Sequence, residues 1–321
     1  MNWLSNKLVY RWILFFTGII GYTFIIYKIS IFNEWDRLSN LIDNQSNVFY
    51  KLILLQFILL VLNILTETLK WHILIRQLYN QSFIISLRQV LSGYAIGTFT
   101  PARLGEPVGR LIDLPQEYRG HTFALTYTGG FIQTIIITIF GLCGILFLPE
   151  KLLIPIKLTS VNVYVILISS AVIIGIYLFV KKNFSHTYRK WIKSSTDYLN
   201  SLTYRTWGYI TLLTITRYLI FTFQLILFLG FFINYEQIEV LLVLATIYYL
   251  LVTVIPSFYL SDLGIRGSVS ILIFGLIITN HAIILVSVFL LWVINIGIPT
   301  FTGATLNFIY KEKLKTDQSY S

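Results

Sequence analysis

The sequence predicts an all-α fold: a polytopic helical membrane protein of about six full spans plus two re-entrant hairpins, arranged as an inverted repeat. Three observations predict it. Of 321 residues, 56% are hydrophobic and only 12% are charged, where soluble domains carry roughly 25% charge. Mean hydropathy is +0.75, and several apolar runs reach the ~20 residues that cross a bilayer. Two apolar regions are interrupted by charged, Pro- and Gly-marked breaks, Thr100–Arg110 and Ile255–Gly267. Backbone that leaves the helix survives in a bilayer only when packed in protein or lining a wet cavity.

Full spans are expected at 10–30, 48–69, 121–148, 161–180, 208–233 and 282–309. Lys7 and Arg11 precede the first apolar run as in a signal sequence. That run is long and lacks a small-x-small cleavage site, so it reads as an uncleaved span. Regions 83–118 and 238–279 hold the breaks. The arms that follow, Val108–Leu114 and Ser268–Thr279, are too short to cross, which favours hairpins over further spans.

Loop charges set the orientation. Lys7 and Arg11 hold the N-terminus in the cytoplasm, and Lys311, Lys313 and Lys315 hold the tail 311–321 there. The most basic stretch, 181–207, is a cytoplasmic linker with Lys181, Lys182, Arg189, Lys190, Lys193 and Arg205. Its interleaved aromatics allow either an amphipathic helix on the anionic inner leaflet or a solvated loop. The count closes only if each hairpin returns to the side it entered from. Segments 48–148 and 208–309 then become repeat halves of opposite orientation within one transmembrane domain, 1–310, with 161–180 as connector. The breaks are only loosely alike: Leu104 follows Pro101 by three positions, whereas Leu263 follows Pro256 by seven. The 11 residues after Tyr310 are too few to fold alone.

The net charge of +10 flanks the spans, so it reads as orientation charge and not as a nucleic-acid surface. Cys143 stands alone, and His72, His121, His186 and His281 lack metal-ligand spacing, so no metal or cofactor is expected. No nucleophile–base constellation and no Gly-rich loop followed by Lys is present, so enzyme chemistry and direct ATP use are not expected.

The charged residues of the breaks are the candidate site. Arg103, Glu106 and Arg110 are spaced three and four apart and share one face if the segment is helical. A guanidinium at membrane depth must face protein, water or an anion, and its planar fork suits phosphate. Glu106 would hold an arginine between ligands; the competing reading is a salt-bridged structural turn. In the second break Asp262 and Arg266 are four apart and can pair. Pro101, Gly105, Pro256 and Gly264 are read as the hairpin breaks. Arg217 lies inside a span with Gln224 seven residues on, so neither should face lipid. Glu67 is a candidate for coupling or support, whereas Lys70 reads as a snorkelling side chain. Asn295 reads as an interhelical hydrogen-bonding residue.

Several of these stretches carry a family resemblance. Glu67–Trp71, Gly93-Tyr94 followed by Thr100–Glu106, Leu263–Arg266, and Trp292, Asn295 and Pro299 resemble the lysylphosphatidylglycerol synthase/flippase transmembrane domain family over nearly the whole chain. The resemblance implies a membrane part that moves or handles lipids, aminoacylated phosphatidylglycerol or polyprenyl-phosphate carriers among them. It implies that Arg103, Glu106 and Arg266 are signature positions. This chain departs from the pattern at Ala102, where glycine is common, and at Gly267, where an acidic residue is common. The synthases' soluble aminoacyl-transfer domain is missing, so synthase activity is not carried over. The expected function is a flippase or transporter for a phosphate-bearing headgroup in the cytoplasmic membrane. Its partners would be membrane lipids, anionic phospholipid or polyprenyl phosphate, with homo-oligomers left open. The alternatives are a secondary carrier of a small soluble anion and a non-transporting partner of envelope synthesis.

Overall fold

A computed structural model describes residues 43, 46–100, 103–115, 117–149, 196–232, 238–255 and 259–319. The spans expected at 10–30 and 161–180, most of the basic linker, Pro101 and Pro256 lie outside the described residues. The described residues are helices and turns, with no strand among them. In chain order the helices are α1 (Ser46–Arg76), α2 (Phe83–Gly97), the single turn α3 (Glu106–Gly109), α4 (Arg119–Leu146), α5 (Tyr204–Phe232), α6 (Ile238–Val254), α7 (Tyr259–Phe274) and α8 (His281–Trp292). A π-helical turn (Val293–Gly297) then leads into α9 (Ile298–Ser319).

Four stretches are long and apolar enough to cross a membrane: α1, α4, α5, and the run His281–Ile309 through α8, the π-turn and α9. At 1.5 Å per residue each exceeds the ~30 Å hydrocarbon layer. They coincide with four of the six expected spans. α2 and α6 are shorter, at 15 and 17 residues.

The α1 sequence explains its own packing. Its 31 residues contain neither Gly nor Pro. Gln56, Asn63, Glu67 and Lys70 fall at intervals of seven, four and three, hence on one face. All four are buried, while Leu54, Ile58, Val61 and Leu62 are exposed. A helix in lipid turns its polar stripe inward and its apolar side outward, which is what this exposure pattern describes. Lys70 therefore does not snorkel. It lies against α4, where a Cβ on Gly129 would stand 3.4 Å from Lys70 Cε, and its side chain is 3% exposed.

α1 and α5 cross at the centre, joined by reciprocal bonds in which Gln56 Nε2 donates to Gln224 O and Gln224 Nε2 donates to Gln56 O. α2 packs on α1, and α6 on α5. α3 folds back on α2, and α7 lies beside α6. α3 also meets α4, as α7 meets α8. α2 packs on α9, and α6 on α4. Exchanging α1–α4 for α5–α9 leaves this pattern unchanged. The two cross-packings rest on glycines: a Cβ on Gly303 would meet Leu91 O at 2.0 Å, and one on Gly144 would meet Val243 O at 3.2 Å and the Thr246 hydroxyl closer still.

Two features differ from expectation. Gly264 and Gly267 lie inside α7, not in the break, and no glycine among the described residues has positive φ. The preceding helix ends at Val254 and the second arm begins at Tyr259. The tail residues through Ser319 continue α9, since extending a formed helix avoids the cost of nucleation.

Candidate functional site

The first break is held by a close backbone approach. A Cβ on Gly109 would sit 2.3 Å from Ser92 O, so only glycine lets α3 lie flat on α2. Gly105 N–H donates to Thr100 Oγ1 at 2.7 Å, closing the turn before α3. Between them Arg103 takes a left-handed backbone, φ 57°. For a residue with a Cβ that conformation costs about 1–2 kcal/mol, and such strain gathers at working sites. The turn is not a continuous helix, so Arg103 departs from the face shared by Glu106 and Arg110.

Glu67 binds three cations. Its Oε2 accepts from Lys70 Nζ at 2.6 Å and from Arg217 Nη1 at 2.6 Å, and its Oε1 accepts from Arg110 Nη2 at 2.8 Å. Arg110 also donates to Glu106 and stacks over Trp71, 4.8 Å from the ring centroid. Glu106 in turn faces Arg103 Nε at 3.6 Å. Arg217 spends nearly its whole fork: Nε on Asn63 Oδ1 (2.8 Å), Nη1 also on Gln133 Oε1 (2.8 Å), and Nη2 on the Tyr94 hydroxyl (2.7 Å). Arg103 stacks on the face of the same Tyr94 ring at 4.8 Å.

The second break joins this network through α8 and the π-turn. Asp262 Oδ2 accepts from Arg266 Nε at 2.9 Å and from Trp292 Nε1 at 3.1 Å. Asn295 donates to Gln224 Oε1 and accepts from Asn63 Nδ2, both at 2.9 Å. The π-turn that aims Asn295 has a local cause. Pro299 lacks an N–H and clashes with the carbonyl four residues back, and Ile298 N–H reaches five residues back to Val293 O. Such bulges recur at functional sites.

One cavity of about 160 Å³ collects the ends of this network. Arg103, Arg217 and Arg266 line it, with Asn63, Gln133 and Asn295 as polar wall and Tyr94, Tyr248, Tyr249 and Trp292 as aromatic wall. Glu67, Glu106, Asp262 and Gln224 stand behind that lining and bind groups that form it, and Arg110 stands one layer further back, bound to Glu67 and Glu106. Arg110 is 3% exposed and paired with two carboxylates, whereas Arg103 is 40% exposed. Arg103 Nε and Nη2, though buried as atoms, have no hydrogen-bond partner.

Asn63, Gln133 and Tyr249 line the site without having been singled out from sequence, and Tyr94 was named only among the residues of the resemblance. The stripe spacing on α1 signals Asn63. Counting back from each proline signals the tyrosines: Tyr94 and Tyr249 stand seven before Pro101 and Pro256, and Thr98 and Thr253 stand three before. The breaks are thus more alike ahead of their prolines than behind them. The two threonines differ in environment. Thr98 is buried and hydrogen-bonded to Thr300 at 2.8 Å; Thr253 is exposed at the cavity.

These features define a multi-pass helical membrane protein with an arginine-lined cavity between its two breaks. Residues 13–296 match the family described as the lysylphosphatidylglycerol synthase TM region, and the chain belongs to that family, whose setting is membrane phospholipid handling. No curated protein and no solved structure matches it.

Proposed function

We propose that this chain is a lipid flippase or transporter that carries a phosphate-bearing headgroup across the cytoplasmic membrane. The observation that carries the reading is the convergence of Arg103 from the first break, Arg266 from the helix that follows the second and Arg217 from a central span on a single cavity. Buried arginines are costly in hydrocarbon unless they meet an anion. Leu104, next in sequence to Arg103, and Val254, next to Thr253, are exposed and apolar. That favours a lipid, with its tail outside and its headgroup within, over a small soluble anion.

In this reading α2–α3 and α6–α7 are re-entrant hairpins of an inverted repeat, with both termini cytoplasmic. The exchange symmetry of the packing supports it. So does the contrast between bonded Thr98 and exposed Thr253, which is what an alternating-access carrier adopts in one of its two states. Transport would swap the two environments around a fixed arginine site. Glu67 acts as counter-ion to the cations, and not as the proton carrier, because both its oxygens are engaged by cationic groups.

The test is headgroup translocation in proteoliposomes, read as the fraction of a fluorescent anionic phospholipid protected from a membrane-impermeant quencher. Arg103→Ala and Arg266→Ala are expected to slow translocation at least about tenfold. Unchanged rates in both would overturn the anion-grip reading.

A further inference from the structure

We infer that the cavity is matched to a phosphomonoester dianion, a headgroup class distinct from the phosphodiesters of bulk phospholipid; the inference rests on the lipid-anion reading above. Among the described residues, five cations surround the cavity or stand directly behind its lining: Lys70, Arg103, Arg110, Arg217 and Arg266. Three carboxylates oppose them: Glu67, Glu106 and Asp262. Five against three leaves an excess of two positive charges.

The excess is not spread evenly. Asp262 pairs with Arg266. Glu67 and Glu106 are shared among the other four cations, so both surplus charges fall at the Arg103–Arg217 end. Arg217 and Lys70 have their protein partners, and Arg110 gives Nη2 to two carboxylates and keeps Nε without a hydrogen bond behind the lining. Among the arginines that line the cavity, Arg103 has two buried nitrogens without a hydrogen bond, Nη2 and the Nε that faces Glu106 at 3.6 Å. A phosphodiester carries one negative charge and has two terminal oxygens. A phosphomonoester carries about −1.5 to −2 at pH 7 and has three strong acceptor oxygens. Only the second cancels the surplus, and its third oxygen leaves an acceptor over after Arg103 has been met by a forked pair. The cavity is large enough: it measures about 160 Å³, where one water needs about 10–15 Å³ by the same measure. A phosphate group fits that space.

The experiment is competitive lipid binding to the full-length protein in nanodiscs, read by native mass spectrometry. The probes are phosphatidic acid, phosphatidylglycerol, lysylphosphatidylglycerol, phosphatidylcholine and soluble glycerol 3-phosphate. At pH 7.5 phosphatidic acid is expected to bind at least about tenfold tighter than phosphatidylglycerol, one further charge being worth that much in a site of reduced dielectric. The preference should shrink toward equality at pH 5, below the second phosphate pKa of about 6, where the monoester regains a proton and becomes a monoanion. Arg103→Gln, which removes one surplus charge from a half-exposed position, should erase the preference; Arg103→Lys should keep part of it. Equal binding of phosphatidic acid and phosphatidylglycerol at pH 7.5 would overturn the dianion match and leave the lipid-anion reading standing. A preference that survives Arg103→Gln intact would do the same. No advantage of either anionic lipid over phosphatidylcholine would overturn both, whereas tightest binding by lysylphosphatidylglycerol would overturn the dianion match and leave a phosphate-bearing headgroup as the cargo. Glycerol 3-phosphate competing as well as phosphatidic acid would keep the dianion and overturn its lipid source.

Discussion

Replacing Glu67 by glutamine leaves the side chain's shape and removes the charge that three cations share. Arg110 keeps Glu106, and Arg217 keeps Asn63, Gln133 and Tyr94. Lys70, 3% exposed and 2.6 Å from Glu67, is left buried beside other cations. Removing one partner of a buried ion pair costs about 3–5 kcal/mol, because the survivor keeps its desolvation penalty. The cost applies mainly to Lys70, so it is counted once and not three times. It corresponds to a fall in Tm on the order of 5–15 °C. The double variant Glu67→Gln/Lys70→Met removes the stranded charge as well and should recover more than half of the loss. Thermal unfolding of the purified protein, followed by intrinsic fluorescence in one detergent, gives all the values of the cycle. A Glu67→Gln protein melting within about 1 °C of the parent, or a double variant less stable than the single, would refute the counter-ion role.

Further tests address the frame around the site. Gly109→Ala drives a methyl group into the Ser92 carbonyl, 2.3 Å away, and should destabilise by about 1–3 kcal/mol or more, visible in the same melting assay. Thr98→Val and Thr300→Val should each cost about 1–2 kcal/mol, since each strands the other hydroxyl. Together they should cost little more than one alone, because a single bond is lost. Asn280→Ala removes the side chain that caps α8 at Ala282 N (3.0 Å) and should cost about 1 kcal/mol without altering headgroup translocation.

Much of the fold was legible because membranes simplify the code. Water is absent, so apolar length alone marks a crossing, and the four described spans fall where the runs lie. The breaks were legible because Pro and charge have few tolerable places in hydrocarbon. Arg103, Arg217 and Arg266 were legible as residues that must face something other than lipid. Lys70 was misread, since a lysine six residues from a helix end snorkels unless a neighbouring helix covers it, and that neighbour, α4, begins almost fifty residues later. Gly264 was misread because glycine beside a proline break looks like a turn, whereas nothing crowds it in α7 and it is simply helical.

What the sequence determined by itself is local: which segments enter the bilayer, where the helix stops, and which polar groups must find partners inside. Only the tertiary structure decided which partners those are. Glu67 meets Arg110 and Arg217 across 43 and 150 positions, and Arg103 comes to share a cavity with Arg266. Helix periodicity fixes a side chain's direction about its own axis, but pairing depends on how whole helices cross. That crossing is set by the Gly109, Gly144 and Gly303 contacts and by the Gln56–Gln224 bonds, acting over the full chain at once.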